Sequence, residues 1–279
     1  MISFPVQSLD DPALWKKSPT PGKVTKLEYH THWYNGNSST PFKKPICIYT
    51  PYGYDPQDGK YDLLVLLPGM DMPASCYLSR AHRYSHDLYS VQFQNVIDTL
   101  IDTGAIRPMV IVTMPYYGAT VEGHPNMGLD GNQVVMELRN DLLPYMEANY
   151  SLAEGREHRG IFGFSYTASM IPKYVMPFCI ELFSWFGASS IFTYDFAAGL
   201  LTLKDRQEKY PLKYVYVGCG DRDEAGGQTL DAYEKIANVI TCPSCCVVLP
   251  GTGHDARTYD TAIANCMLKF FDNDKETQT

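Results

Sequence analysis

Charge is scarce in this chain: 19% of its 279 residues are Asp, Glu, Lys or Arg, against 45% that are hydrophobic. That balance excludes a disordered chain, which lacks the apolar content to offset the entropy of ordering. Basic residues are the scarcer sign, 23 against 31 acidic, for a formal net charge of −8. A protein that tracks nucleic-acid phosphates carries a basic face, so nucleic acid is not an expected partner. No apolar run approaches the ~20 residues that a membrane-spanning helix requires, so no membrane partner is expected either. The opening Met1-Ile2-Ser3-Phe4-Pro5 has no basic stretch and no long apolar one. It therefore shows no secretion leader, and the expectation is a cytoplasmic protein or a secreted one whose leader is gone. Repeats, low-complexity tracts and interior linkers are also missing. One domain over residues 1–279 is expected, with an irregular Pro-rich segment at 1–22 and a polar tail at 272–279.

A second ligand pair is what the cysteines lack. There are eight, and Cys242-Pro243-Ser244-Cys245-Cys246 is the one cluster. A structural zinc site needs two further donors at suitable spacing, and none lies nearby, so no metal is expected. Cys47 and Cys219 stand inside apolar segments, which predicts buried, reduced thiols. A disulfide within the cluster, or one from Cys242 to a distant partner, is the alternative.

What is present is an alternation of short apolar runs with longer amphipathic ones. Leu63–Leu67 and Met109–Thr113 are continuous apolar runs, the pattern of strands buried on both faces. Strands are also predicted over 23–33, 46–50, 160–163, 182–188, 214–219 and 246–249. Helices are predicted over 93–102, 132–148, 168–176, 229–238 and 258–271. In the second of these, Val135, Leu138, Leu142 and Met146 fall at helical spacing. Strands alternating with helices predict a mostly parallel sheet covered on both faces. Its functional residues should lie past the carboxyl ends of the strands.

Three segments meet that condition. Gly163-Phe164-Ser165-Tyr166-Thr167 follows the strand at 160–163. A serine hydroxyl is a poor nucleophile until a base takes its proton, and a sharp strand-to-helix turn is one way to present it. Asp221 and Asp223 lie just beyond the glycine turn that ends the strand at 214–219. His254 lies in the glycine-rich loop after the strand at 246–249. The order Ser, acid, His along the chain is that of a hydrolase triad. His254 would take the Ser165 proton and return it to the leaving group, with an acid holding the imidazole. Either aspartate serves as turn residue or acid on this pattern alone, and Asp255 suits a helix N-cap. The other histidines, 30, 32, 82, 86, 124 and 158, lack the strand-then-glycine setting. Two backbone N–H groups should hold a developing oxyanion. The candidates are Tyr166, directly after the serine, and the turn Pro68-Gly69-Met70. Proline has no N–H, which leaves Gly69 or Met70 as the second donor. Tyr116 and Tyr117 follow the strand at 109–113, at the same edge of the sheet, and are candidate substrate contacts.

Taken together, these residues resemble the "Putative esterase" family and carbohydrate esterase family 1, which includes feruloyl-esterase domains of bacterial xylanases. The resemblance runs from about Lys23 to Phe271. It is carried by Ile48-Tyr49-Thr50-Pro51-Tyr52-Gly53-Tyr54, Lys60–Leu67, Asp141–Glu147, Arg156-Glu157-His158-Arg159 and the serine turn. It implies an α/β-hydrolase fold and ester hydrolysis through an acyl-enzyme, with no cofactor and no metal. It also implies the choice of Asp223 over Asp221, since the family's acid follows a Gly-x-x-Asp pattern, matched here by Gly220-Asp221-Arg222-Asp223. Asp223 lies 58 residues past Ser165, and His254 lies 31 past Asp223, spacings that also match. Feruloyl esters of plant xylan are the leading substrate it implies, as a small molecule or an oligosaccharide ester. An acetyl xylan esterase, a general small-ester hydrolase and a carbohydrate-binding relative without turnover are the alternatives. The chain departs from the family pattern at three positions. Pro68 stands where histidine is usual, Thr167 where glycine is usual, and Tyr259 where a tryptophan packs on aromatic substrates.

Overall fold

The structure, a computed structural model, describes residues 4–35, 38–57, 60–70, 72–78, 93–115, 131–192 and 195–272. Among these, one eight-stranded sheet organises the chain. Its strands are β1 (Lys23–Asn35), β2 (Ser38–Thr50), β3 (Asp62–Leu67), β4 (Met109–Thr113), β5 (Arg159–Phe164), β6 (Trp185–Ser189), β7 (Tyr214–Gly220) and β8 (Ser244–Leu249). The spatial order is β1-β2-β4-β3-β5-β6-β7-β8. β1 and β2 form an antiparallel pair at one edge, and β2 meets β4 antiparallel; from β4 onward every pairing is parallel. This is the mostly parallel sheet that the alternation predicts.

Both faces of the parallel part are covered, as its apolar runs require. In β3, Leu63, Val65 and Leu67 pack into one core and Leu64 and Leu66 into the other, the two-residue period of a strand. The first core is closed by α2 (Gly131–Glu137), α3 (Leu143–Asn149), α4 (Tyr166–Met170), α5 (Met176–Cys179), α6 (Ala197–Arg206) and α7 (Gly226–Ala237). The second is closed by α1 (Gln94–Asp102) and α8 (Ala256–Lys269), with the N-terminal segment beside them. That segment carries one 3-10 turn, Pro12–Trp15, and is firmly seated. Leu9 and Trp15 are buried, the Trp15 indole N–H donates to the Leu9 carbonyl at 2.7 Å, and Val6 and Asn265 exchange two hydrogen bonds.

Two of the predicted helices are broken. The one expected over 132–148 is α2, a π-helical turn Leu138–Leu142, and α3; the one over 168–176 is α4, a π-helical turn Ile171–Val175, and α5. Pro144, Pro172 and Pro177 fall in these stretches and cannot donate to a regular ladder. α6 has no counterpart in the sequence expectation. Its Leu200 and Leu203 are buried while Leu201 is exposed, so its apolar residues do not form one clean stripe. All eight cysteines are unpaired, and Cys47, Cys76, Cys179, Cys219 and Cys266 are buried, as the apolar settings predict.

One charged contact pins α2 to the antiparallel edge. Lys44 on β2 is fully buried, and its Nζ donates to both oxygens of Glu137 at 3.0 and 2.7 Å; the Tyr29 hydroxyl donates to the same carboxylate. Burial lowers the Lys44 pKa from its ordinary value, and the attraction of Glu137 offsets only part of that. Removing one partner would leave an uncompensated buried charge, a loss of about 3–5 kcal/mol. Lys44→Met should therefore destabilise the protein by that order in urea unfolding. The double variant with Glu137→Gln, neutral but still an acceptor for Tyr29, should recover most of the loss. A single variant as stable as the parent would show that the pair does not hold α2 in place.

Candidate active site

The carboxyl ends of β3, β5, β6, β7 and β8, neighbours in that order, meet at one edge of the sheet. Each is followed by a short loop that carries one part of the site.

Ser165 directly follows β5 with φ 60° and ψ −123°. This conformation is unfavourable for a residue with a side chain, costing about 1–3 kcal/mol, and it needs support from every side. The Ser165 N–H donates to the Ser189 carbonyl at 2.9 Å, and the Ser169 N–H donates to the Ser165 carbonyl at 3.2 Å. Gly163 allows the turn to close: a Cβ there would sit 2.7 Å from the Thr167 carbonyl oxygen. Thr167, in the place where glycine is usual, is buried and adds a tie of its own. Its hydroxyl accepts from the Phe164 N–H at 3.1 Å and donates to the Leu67 carbonyl at 2.8 Å, a proton it shares with the Phe164 carbonyl at 2.9 Å. The β-branched residue thus fastens the serine turn to the end of β3.

His254 bridges the serine and the acid. Its Nε2 is 2.9 Å from Ser165 Oγ, and its Nδ1 is 3.1 Å from Asp223 Oδ1. The imidazole stacks on Phe164, with ring centres 4.7 Å apart, and meets the edge of Phe192 at 5.0 Å. Two aromatic walls therefore restrict its rotation. The loop beneath is held by Thr258, whose hydroxyl donates toward Thr252 Oγ1 and the Gly253 carbonyl. Asp255 is the N-cap of α8, accepting from the N–H groups of Arg257 and Thr258 at 2.9 and 3.4 Å.

Asp223 has a fully buried side chain. Its Oδ1 also accepts from the Ala225 N–H at 2.8 Å, and its Oδ2 accepts from the Ser190 hydroxyl at 2.5 Å. Burial alone would raise its pKa. The hydrogen bonds from His254, Ser190 and the Ala225 N–H outweigh that and hold the carboxyl below its usual value. Asp221 is exposed, accepts from the Gly251 N–H at 2.8 Å and so ties the acid loop to the histidine loop. Geometry separates the two aspartates as the resemblance does.

Gly69 lies against the serine: a Cβ there would be 3.0 Å from the Ser165 Cβ. Met70 and Tyr166 are exposed beside it. Tyr259 corrects an expectation. It is buried at 2% exposure, with its ring edge-on to Phe164 and Tyr77, so it backs the ring that stacks on His254 and offers no face to a substrate. Tyr116 and Tyr117 lie outside the described residues, as do His82, His86 and His124. His32 and His158 pair with Asp141 and Asp62, away from the serine. Ser190 and Phe192 are the functional candidates that sequence reasoning missed. Both follow the carboxyl end of β6, the position that singled out the other loops.

A model of the "Putative esterase" family matches residues 38–170, a little under half of the chain and including the serine turn. Endo-1,4-beta-xylanase Y of Acetivibrio thermocellus is 27% identical over 178 residues, covering 60% of this chain and 14% of that protein. Endo-1,4-beta-xylanase/feruloyl esterase of Xylanibacter ruminicola is 25% identical over 233 residues, covering 81% of this chain and 28% of that protein. The chain thus spans less than a third of either curated relative. Among solved structures, a serine-to-alanine mutant of the feruloyl esterase module from Clostridium thermocellum complexed with sinapinate superposes with a TM-score of 0.74. It is 22% identical, with 95% of this chain and 93% of that one covered. These matches bear out the resemblance and the α/β-hydrolase fold.

Thr167 offers a direct test of how the turn is held. Thr167→Val keeps the shape and removes the hydroxyl, leaving the Leu67 carbonyl and Phe164 N–H short of a partner at about 1–3 kcal/mol in stability. Turnover of p-nitrophenyl acetate should fall on the order of tenfold as the turn loosens, with KM little changed. Parent-like turnover in the valine variant would mean that the turn stands without this tie.

Proposed function

We propose that this chain is a serine esterase that cleaves feruloyl and related hydroxycinnamoyl esters of plant cell-wall xylan through an acyl-enzyme, acting as one esterase domain. The observation that carries the reading is the unbroken path Ser165 Oγ, His254, Asp223 with contacts of 2.9 and 3.1 Å at the carboxyl edge of the sheet.

The chemistry follows from those groups. As Ser165 Oγ attacks the ester carbonyl carbon, its proton passes to His254 Nε2, and the ionised Asp223 stabilises the imidazolium. The carbonyl oxygen becomes an oxyanion held by the backbone N–H of Tyr166 and that of Gly69 or Met70. Collapse breaks the bond to the alcohol oxygen, which takes the proton from His254. The acyl group is left on Ser165. Water then repeats the sequence: His254 accepts its proton, the hydroxyl attacks the acyl carbon, and the carboxylic acid departs as Ser165 is reprotonated.

Support for an aromatic acyl group comes from two directions. One curated relative carries feruloyl esterase in its name, and a structural neighbour was solved with sinapinate. In this chain Phe192 is partly exposed and sits with its ring against His254, an apolar wall beside the nucleophile that suits a flat ring. Tyr116 and Tyr117 are proposed as further contacts from their position after β4.

The test is release of ferulate from methyl ferulate and from feruloylated arabinoxylan oligosaccharides, by the parent and by Ser165→Ala, with p-nitrophenyl acetate alongside. Ferulate release is expected from the parent, and a loss of several orders of magnitude in the alanine variant. Cleavage of the acetate ester alone, still dependent on Ser165, would keep the serine mechanism and remove the feruloyl assignment. No cleavage of any ester would leave a binding protein.

A further inference from the structure

Ser190 is fully buried and stands directly after β6 at φ 63°, in the left-handed region that favours glycine. Nothing in the turn itself asks for a serine. Its N–H donates to the Gly218 carbonyl at 2.9 Å, a bond any residue could make. What the side chain adds is one contact, the 2.5 Å hydrogen bond to Asp223 Oδ2. The other carboxylate oxygen already serves His254 Nδ1 and the Ala225 N–H.

We propose that Ser190 is a positioning residue for the Asp223–His254 pair, fixing the rotation of the carboxylate so that Oδ1 faces the imidazole. The proposal rests on the reading of Ser165, His254 and Asp223 as the catalytic groups. A buried carboxylate oxygen with no donor would be driven either to pick up a proton or to turn toward another partner. The Ser190 hydroxyl prevents both. Its loop is itself anchored to the other parts of the site. The Ile191 N–H donates to Thr229 Oγ1 at 2.9 Å, and that hydroxyl donates to the Ala225 carbonyl, at the head of the helix that follows the acid. The Phe192 N–H donates to Ser169 Oγ at 2.9 Å, on the helix that follows the nucleophile. Residues 190–192 thus join the acid loop, the histidine ring and the serine helix. Of the titratable side chains, His254 bonds Asp223, and the Cys219 thiol, pushed up to about 11 by burial and then by Asp223, lies within its field.

The experiment uses Ser190→Gly, which accepts the left-handed backbone freely, and Ser190→Ala, with Ser165→Ala as the reference. Steady-state hydrolysis of p-nitrophenyl acetate is followed across pH, and Tm is recorded for each variant. Loss of a hydrogen bond to a buried ionised group should lower kcat on the order of tenfold, with KM little changed. The sign of the pH effect is fixed by charge. Without its donor the carboxylate takes up a proton or turns from the ring, so the imidazolium loses the charge that stabilises it. The acidic limb of kcat/KM should then move to lower pH in both variants, while the glycine variant, relieved of the left-handed strain, keeps a Tm near the parent's. An acidic limb that stays in place in Ser190→Gly overturns the proposal whatever happens to kcat, because a purely structural serine would cost Tm and leave the profile unmoved. If Ser165→Ala itself keeps parent turnover, the catalytic reading fails and this inference fails with it.

Discussion

A serine held where the backbone resists it is the constraint on which the rest of the site depends. At φ 60° and ψ −123° Ser165 is unfavourable by about 1–3 kcal/mol, and such a conformation persists only when its surroundings over-determine it. The parallel sheet supplies that. β5 lies between β3 and β6, and both neighbours reach the turn: β6 through the Ser189 carbonyl, β3 through the Leu67 carbonyl and the Thr167 hydroxyl. The cost is small beside a typical net stability of about 5–15 kcal/mol. Spread over several contacts, it leaves Oγ raised above the strand ends with the turn unable to relax beneath it.

Strand order then decides which groups can answer that hydroxyl. β6, β7 and β8 continue outward from β5, so the loops after them arrive beside the serine in sequence: Ser190 and Phe192, then Asp223, then His254. The acid is buried and the histidine only partly so. Asp223 is held below its usual pKa despite burial because its oxygens have donors, while His254 stays partly exposed. Phe164 and Phe192 limit where the imidazole can turn, and Tyr259, from α8, braces Phe164 from behind. The layers under the site are aromatic because flat rings at van der Waals contact fix orientation without competing for the proton.

The parallel sheet was legible in the sequence because strands buried on both faces read as apolar runs, and Leu63–Leu67 and Met109–Thr113 are such runs. The three polar groups of the site were legible for a related reason: each follows a strand with glycine beside it. Illegible features share a different cause. α6 mixes buried and exposed leucines, so its periodicity is blurred. The broken helices depend on prolines whose effect is a π-helical turn in place of a stop. Tyr259 was misjudged because matching a family position says nothing about which way α8 turns the side chain, and packing leaves it at 2% exposure. Ser190 was invisible because serine after a strand is ordinary turn chemistry. Only its buried contact with an acid 33 residues away gives it meaning.

Two of the departures from the family pattern meet at one place, and together they are easier to understand than singly. Pro68 removes an N–H from the turn after β3, so that turn loses a donor with which it could be tied down. Thr167 adds a hydroxyl where glycine would have none, and that hydroxyl donates to the carbonyl of Leu67, the residue directly before Pro68. The Tyr77 hydroxyl approaches the same carbonyl at 3.3 Å. The turn is therefore held through an acceptor on β3, with donors from the serine helix and from below, and Gly69 is left packed against Ser165 with no side chain in the way. A threonine that would crowd the turn if it pointed outward instead lies back between β3 and β5, where its hydroxyl is fully used. In this chain the rigidity of the Pro68-Gly69-Met70 turn and the rigidity of the serine turn are one property, set by a single buried oxygen.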